Sequence, residues 1–328
     1  MIFQCKNCGG NVVYSPEKKT MVCPFCDSEK SENRQNGTGV MNICPNCAGE
    51  VPIEEYTSAT QCPYCDSYLI MDERVSGEYE PKKILPFQMG KETCKKSIRE
   101  KFKRNLFAPI DFLSEVRLNG MQGYYVPYWL FDYDTHCSYR GEGTKIRTWR
   151  SGNTEYTETS YYEINRELDM PFRKVPVDAS LAMPDSVMDL MEPYNYGLLE
   201  DFTPEFMSGF YAERYNMPAN DLDERAQKKM KEDATAMLRE SYSGYHSVRT
   251  VSQNIEVNNS NSCFGLLPVW KYIYTYKGQE YPFYVNGQTG KIVGEAPVSK
   301  EKVFAYTGTL WTCLILILML IPAILAWL

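Results

Sequence analysis

Residues 5–26 read CKNCGGNVVYSPEKKTMVCPFC, and residues 44–65 read CPNCAGEVPIEEYTSATQCPYC. Both follow C-x2-C-x14-C-x2-C, so that Cys5, Cys8, Cys23 and Cys26 recur as Cys44, Cys47, Cys62 and Cys65, each displaced by 39 residues. Two residues between ligands let a tight turn aim both sulfurs at one ion, while the intervening segment folds back as a hairpin and brings the second pair across. A closed set of four thiolates favours structural zinc, with a rubredoxin-type iron site as the competitor. Two small modules are therefore expected, each folding around one Zn2+. Gly9, Asp27, Ala48 and Asp66 follow the second cysteine of each pair, where the turn wants a left-handed backbone; Ala48 is the least suited of the four.

The tetrapeptide CPYC, Cys62 to Cys65, is also the active-site motif of glutaredoxins. That chemistry needs a strand before it, a helix after it and a free thiolate. In this chain it is the second half of a spaced ligand set. The other four of the 12 cysteines are scattered singly, which is not the pattern of a disulfide framework. No basic stretch followed by an apolar run opens the chain, so thiol ligands and a reducing cytosol are expected together.

The remaining composition describes a folded chain of two or three domains: 328 residues, 43% apolar and 23% charged. The net charge of −7 argues against a surface built to neutralise a phosphate backbone. It is unevenly spread, with 6 basic and 12 acidic side chains in residues 1–80, 17 and 12 in residues 81–177, and 12 and 18 in residues 178–328. Only the middle segment would attract an anionic partner. Its basic stretch, Lys95, Lys96, Arg99, Lys101, Lys103 and Arg104, reads either as a solvated helix face or as a surface for anionic lipid.

Beyond the cysteine modules the chain is rich in aromatic residues and carries a second, fainter repeat. Val126-Pro127-Tyr128-Trp129 with Tyr139-Arg140-Gly141-Glu142 is echoed by Leu267-Pro268-Val269-Trp270 with Tyr272, Tyr274 and Tyr276-Lys277-Gly278. The expected unit is a helix followed by a strand pair. Cys94, Ile98 and Phe102 form one helical stripe. Thr203-Pro204 gives an N-cap and N1 signal, followed by a longer stripe of Leu222, Ala226, Met230, Met237 and Leu238. KIRTWR and TEYTETSYYEI around SGN, and EYPFYV and KIVGE around NGQTG, read as hairpins. The body is thus expected to be α+β.

From Val303 to Leu328 there is no charged residue, and the nineteen residues from Leu310 include only Thr312 as a clearly polar side chain. As a helix those nineteen would run about 28 Å, close to the thickness of the hydrocarbon core. Trp311 and Trp327 stand near its ends, Pro322 is tolerable in lipid, and Lys300 and Lys302 precede it. The expectation is a single-pass tail anchor in the cytoplasmic membrane with the N-terminal head in the cytoplasm. The organisation expected is a first zinc ribbon (1–30), a linker (31–41), a second ribbon (42–74), two body repeats (75–177 and 178–302) and the transmembrane tail (303–328).

Enzymatic signatures do not emerge. Gly90-Lys91 is followed by Glu92 and Gly290-Lys291 by Ile292, so neither is a P-loop. The 2 histidines, His136 and His246, lie in separate repeats and give no nucleophile and base pair. Asp132, Asp134 and His136 alternate along one strand face, as metal ligands or, more simply, as a solvated polar face.

The paired ribbons, the P-x-W strands, the hairpin YPFYVNGQTGKIVGEAP and the terminal span together resemble a family of bacterial membrane-anchored proteins with transcription-factor-IIB-type zinc ribbons, YdjG-like, often named after the primosomal replication-restart helicase. The missing P-loop argues against helicase activity here. The resemblance implies association with SPFH (flotillin-like) and phage-shock-protein-A-type partners in membrane stress. The function expected is a non-enzymatic, membrane-anchored scaffold recruiting protein partners. The alternative is a membrane-tethered nucleic-acid binder, and no small-molecule substrate is evident.

Overall fold

A computed structural model of the protein describes residues 1–34 and 42–325. The first module contributes β1 (Ile2–Cys5), β2 (Val13–Ser15), β3 (Thr20–Val22) and β4 (Ser31–Arg34), and the second β5 (Thr57–Gln61) and β6 (Tyr68–Ile70). The body follows with β7 (Lys83–Ile84), α1 (Lys91–Phe102), α2 (Glu115–Leu118), β8 (Gln122–Ser151), β9 (Thr154–Asp178) and α3 (Asp185–Met191). It continues through β10 (Glu200–Asp201), β11 (Tyr211–Glu213), α4 (Ala219–Glu240), β12 (Ser247–Tyr276), β13 (Gln279–Asn286) and β14 (Ile292–Val293), and ends in α5 (Lys300–Leu325).

Two long strands form the spine. β8 and β12 pair antiparallel from Gln122↔Lys271 to Thr144↔Ser247, and β9 pairs along the other edge of β8 from Tyr128↔Asp178 to Ser151↔Thr154. Period-two patterning explains why a strand runs so far: Phe131, Tyr133, Thr135, Cys137, Tyr139, Gly141 and Gly143 are buried while the residues between them face outward. The two P-x-W motifs lie side by side, Val126 opposite Leu267 and Trp129 opposite Phe264. Each tryptophan pins the start of the helix that precedes the other motif's strand: the Trp129 indole donates to the Met217 carbonyl ahead of α4 (3.0 Å), and that of Trp270 to Met89 ahead of α1 (2.9 Å). Both expected hairpins form, β8 with β9 around Gly152 and β13 with β14 around Gly290.

The cysteine modules do not stand apart. β11 joins β8 in parallel and β5 antiparallel, so the body sheet runs on into the second module. Ile2 of the first module is fully buried with Cys44, Val51, Cys62, Leu69 and Met71 of the second. Phe3, Val12 and Tyr14 join the same core as Phe87, Phe210 and Trp270. Modules this small expose apolar surface that their own residues cannot cover, and docking removes it from water. Of the segment expected as a linker (31–41), Ser31–Arg34 pair with Ile2–Cys5, and residues 35–41 lie outside the described residues.

Two helical expectations change. Thr203-Pro204 opens only one 3-10 turn, Pro204–Met207, with no hydrogen bond from the threonine side chain, because β11 must follow within a few residues. The long helix begins after Pro218 instead. Its buried stripe is Leu222, Ala226, Met230, Ala234 and Leu238, strictly four apart, and it covers Tyr133, Cys137 and Tyr139 of β8. Met237, assigned to that stripe from the sequence, is 52% exposed. α5 leaves the body as a helix long and apolar enough to cross a membrane, with none of its apolar window buried. Trp327 lies outside the described residues.

Candidate metal centres

Each cysteine pair is held by the same short turn. The amides of Gly9, Asp27, Ala48 and Asp66 donate to the carbonyls of Cys5, Cys23, Cys44 and Cys62 at 2.8 to 3.0 Å. All four residues have positive φ: 74° at Gly9, 56° at Asp27 and Ala48, 57° at Asp66. The left-handed backbone expected at these positions is present at every one, at Ala48 against the preference of its side chain.

These turns bring four sulfurs together twice. Cys5 and Cys26 are 3.6 Å apart and Cys8 and Cys23 3.4 Å; Cys44 and Cys65, like Cys47 and Cys62, are 3.7 Å apart. Within each set all ligand atoms lie within 4.8 Å of one another. A tetrahedral ion about 2.3 Å from each sulfur places the sulfurs about 3.8 Å apart, so each set fits one metal ion with four thiolates. All eight sequence-predicted ligands are gathered, in two separate groups. The aromatic residue of each second pair lies over a glycine of the first. A Cβ on Gly10 would stand 2.6 Å from the Phe25 ring, and one on Gly49 2.5 Å from the Tyr64 ring.

Hydrogen bonding tunes the thiols unequally. At Cys5 burial opposes ionisation, but the amides of Cys8 and Asn7 and the neighbouring thiols outweigh it and lower the thiol to about 6. At Cys65 burial is likewise outweighed, here by the Ser67 hydroxyl and amide and the Asn46 side chain, again giving about 6. Burial pushes Cys44 up to about 12. Such a set needs a cation before all four sulfurs can be thiolates together.

The other candidates are dispersed. Asp132 pairs with Lys174 at 3.0 Å and Asp134 with Arg173 at 2.6 Å, while His136 lies 2.8 Å from Asp169 and 3.0 Å from Glu167. These side chains meet ionic partners on β9 rather than one another, so they form a polar sheet face and not a ligand set. The basic face of α1 is largely consumed as well. Lys95 is buried against Glu92 and Glu115, both at 2.6 Å, Arg99 pairs with Glu115, Lys103 pairs with Glu100, and Lys101 donates to the Ile292 carbonyl.

One ionic network escaped the sequence. Asp178, fully buried at the end of β9, accepts from Arg225 of α4 at 2.9 Å; Arg225 also meets Asp185 and Asp189, and Lys229 joins Asp189 to Glu192. Burial raises the Asp178 carboxyl to about 6 despite the arginine. The network clamps α3 onto α4. Asp185, Asp189 and Glu192, like Arg225 and Lys229, are a helical turn apart within their own segments, but the acidic and basic groups are separated by tens of residues, so no local signal joins them.

The chain is 38% identical over 314 residues to a protein of Bacillus subtilis (strain 168) described as "Uncharacterized protein YdjG", the alignment covering 93% of this chain and 92% of that one. No family model matches the chain, and no solved structure matches it.

Proposed function

This chain belongs to the family of Bacillus subtilis YdjG, and from that premise we propose that it is a membrane-anchored, zinc-loaded scaffold with no catalytic role of its own. The observation that carries the reading is α5: among its described residues none of the apolar window is buried against the body, while the rest of the described chain forms a packed, charged head. Lipid is the medium that would cover such a surface. Lys300 and Lys302 just before the apolar run favour a head on the cytoplasmic side, where eight reduced thiols would also persist.

Zinc is the metal proposed for both centres. Four thiolates around it leave no open coordination position, so the ions hold the modules together rather than activate a substrate. The body is read as two helix and hairpin units, the second echoing the first, with their tryptophans exchanged across β8 and β12. Its exposed surfaces are proposed to receive protein partners, with SPFH and phage-shock-protein-A-type proteins the first to test. A nucleic-acid role is less favoured, because carboxylates of the protein itself take up much of the basic helix.

Removing residues 303–328 tests the anchor. The shortened chain is expected in the soluble fraction with its metal retained. A shortened chain that still sediments with membranes, under conditions where the full chain does, would remove the basis of the reading.

A further inference from the structure

The 103–118 segment between α1 and β8 is tightly held, yet it turns large aliphatic side chains to solvent. Ala108, Phe112 and Leu118 are buried, the Tyr272 hydroxyl donates to the Phe112 carbonyl at 3.3 Å, and the Tyr274 hydroxyl donates to Asp111 at 2.7 Å. Leu106 is nevertheless 66% exposed and Ile110 90% exposed. In a fixed loop this exposure is a property of the fold and not of a wandering chain.

The same segment receives α5. The Ser299 amide donates to the Phe107 carbonyl at 2.7 Å, and the Phe107 ring stands edge-on to Tyr306 with centroids 5.5 Å apart. The 26 residues of α5 extend about 39 Å. A hydrocarbon core of about 30 Å takes about twenty of them. The charge-free run starts at Val303, so Tyr306 falls where the helix enters lipid, at the depth where interfacial tyrosines sit. Phe107 shares that depth through its ring contact. Leu106 is its neighbour and Ile110 lies three residues on. Lys300 and Lys302 flank Glu301, which Lys277 neutralises, so the entry of α5 carries positive charge.

We propose that Leu106 and Ile110 form a second membrane contact, lying in the bilayer interface beside the entry of α5. This inference rests on the membrane reading of α5 and adds to it. One helix alone would leave the head free to swing, whereas a helix and a loop together seat it in one orientation. The long β8, β9 and β12 arm then extends from a base fixed on the lipid.

Photo-crosslinking of the full chain in phosphatidylcholine and phosphatidylglycerol vesicles tests this. p-Benzoylphenylalanine replaces Ile110, Leu106, Leu314 of α5, or Tyr161, one per chain. Tyr161 is 80% exposed and pairs with Thr144, opposite the far end of β12. Lipid adducts are expected at positions 314, 110 and 106 and none at 161. Adducts at 314 with none at 110 and 106, or with adducts there only to protein, overturn the second contact and leave the anchor standing. No lipid adduct at 314 overturns the anchor and this inference with it.

Discussion

At the residue scale the knuckle turns give the sharpest test of local geometry. Ala48 alone of the four positions carries a side chain ill suited to its φ of 56°. A left-handed backbone costs an L residue about 1–2 kcal/mol. The greater unfolded freedom of glycine takes back about 0.5–1 kcal/mol of that. Ala48→Gly is therefore expected to stabilise the protein by up to about 1.5 kcal/mol, read as a raised midpoint in denaturant, whereas a loss of stability would mean the turn differs from the one described. His136 offers a second test. Donating its ring N–H groups to the carboxylates of Asp169 and then Glu167 favours the charged imidazolium and raises its pKa above the ordinary 6.5. A raised folded pKa means the ion pairs stabilise fully below the unfolded pKa and lose that effect as pH rises through the folded one. The imidazole signals in an NMR titration should move at a pH above the free value, and Asp169→Asn should shift that midpoint down.

At the element scale, alternation and turn chemistry made two hairpins readable, β8 with β9 and β13 with β14, but not the length of β8 and β12 or their pairing, and ligand spacing made the eight cysteines readable as two sets. The helices were half legible. A period of four marked Leu222, Ala226 and Met230, but Met237 and Leu238 are adjacent and a helix buries only one of them; Ala234, too small to stand out in a pattern, completes the stripe. Met230→Ala should cost about 2–5 kcal/mol. Met237→Lys should change stability by no more than about 0.5 kcal/mol. Equal effects of the two substitutions in chemical unfolding would contradict the placement of α4. The Thr203-Pro204 signal misled because a cap reports where a turn starts and says nothing of how long it lasts; the tertiary demand for β11 ended it. The Asp178 and Arg225 clamp, built from residues distant in sequence, left no trace to read.

For the whole molecule, the sharing of cores matters more than any boundary. The sequence divides into two ribbons and a linker, but the burial of Ile2 against the second module and the pairing of β5 with β11 are long-range facts that no local composition carries. Metal removal is therefore expected to loosen more than residues 1–74. Hydrogen exchange in the presence of a strong chelator should speed up at β11 and at the strands beside it, as well as in the cysteine turns. Exchange changes confined to the cysteine modules would mean that the modules and body are energetically separate.

Whether one chain is both zinc-loaded and held in a membrane is decided by the ratio of zinc to chain in alkali-washed membranes from cells expressing the full protein. Two zinc ions per chain, with the chain remaining in the washed pellet, is the result predicted. A chain released by the wash, a ratio of one or none, or iron in place of zinc would contradict the account.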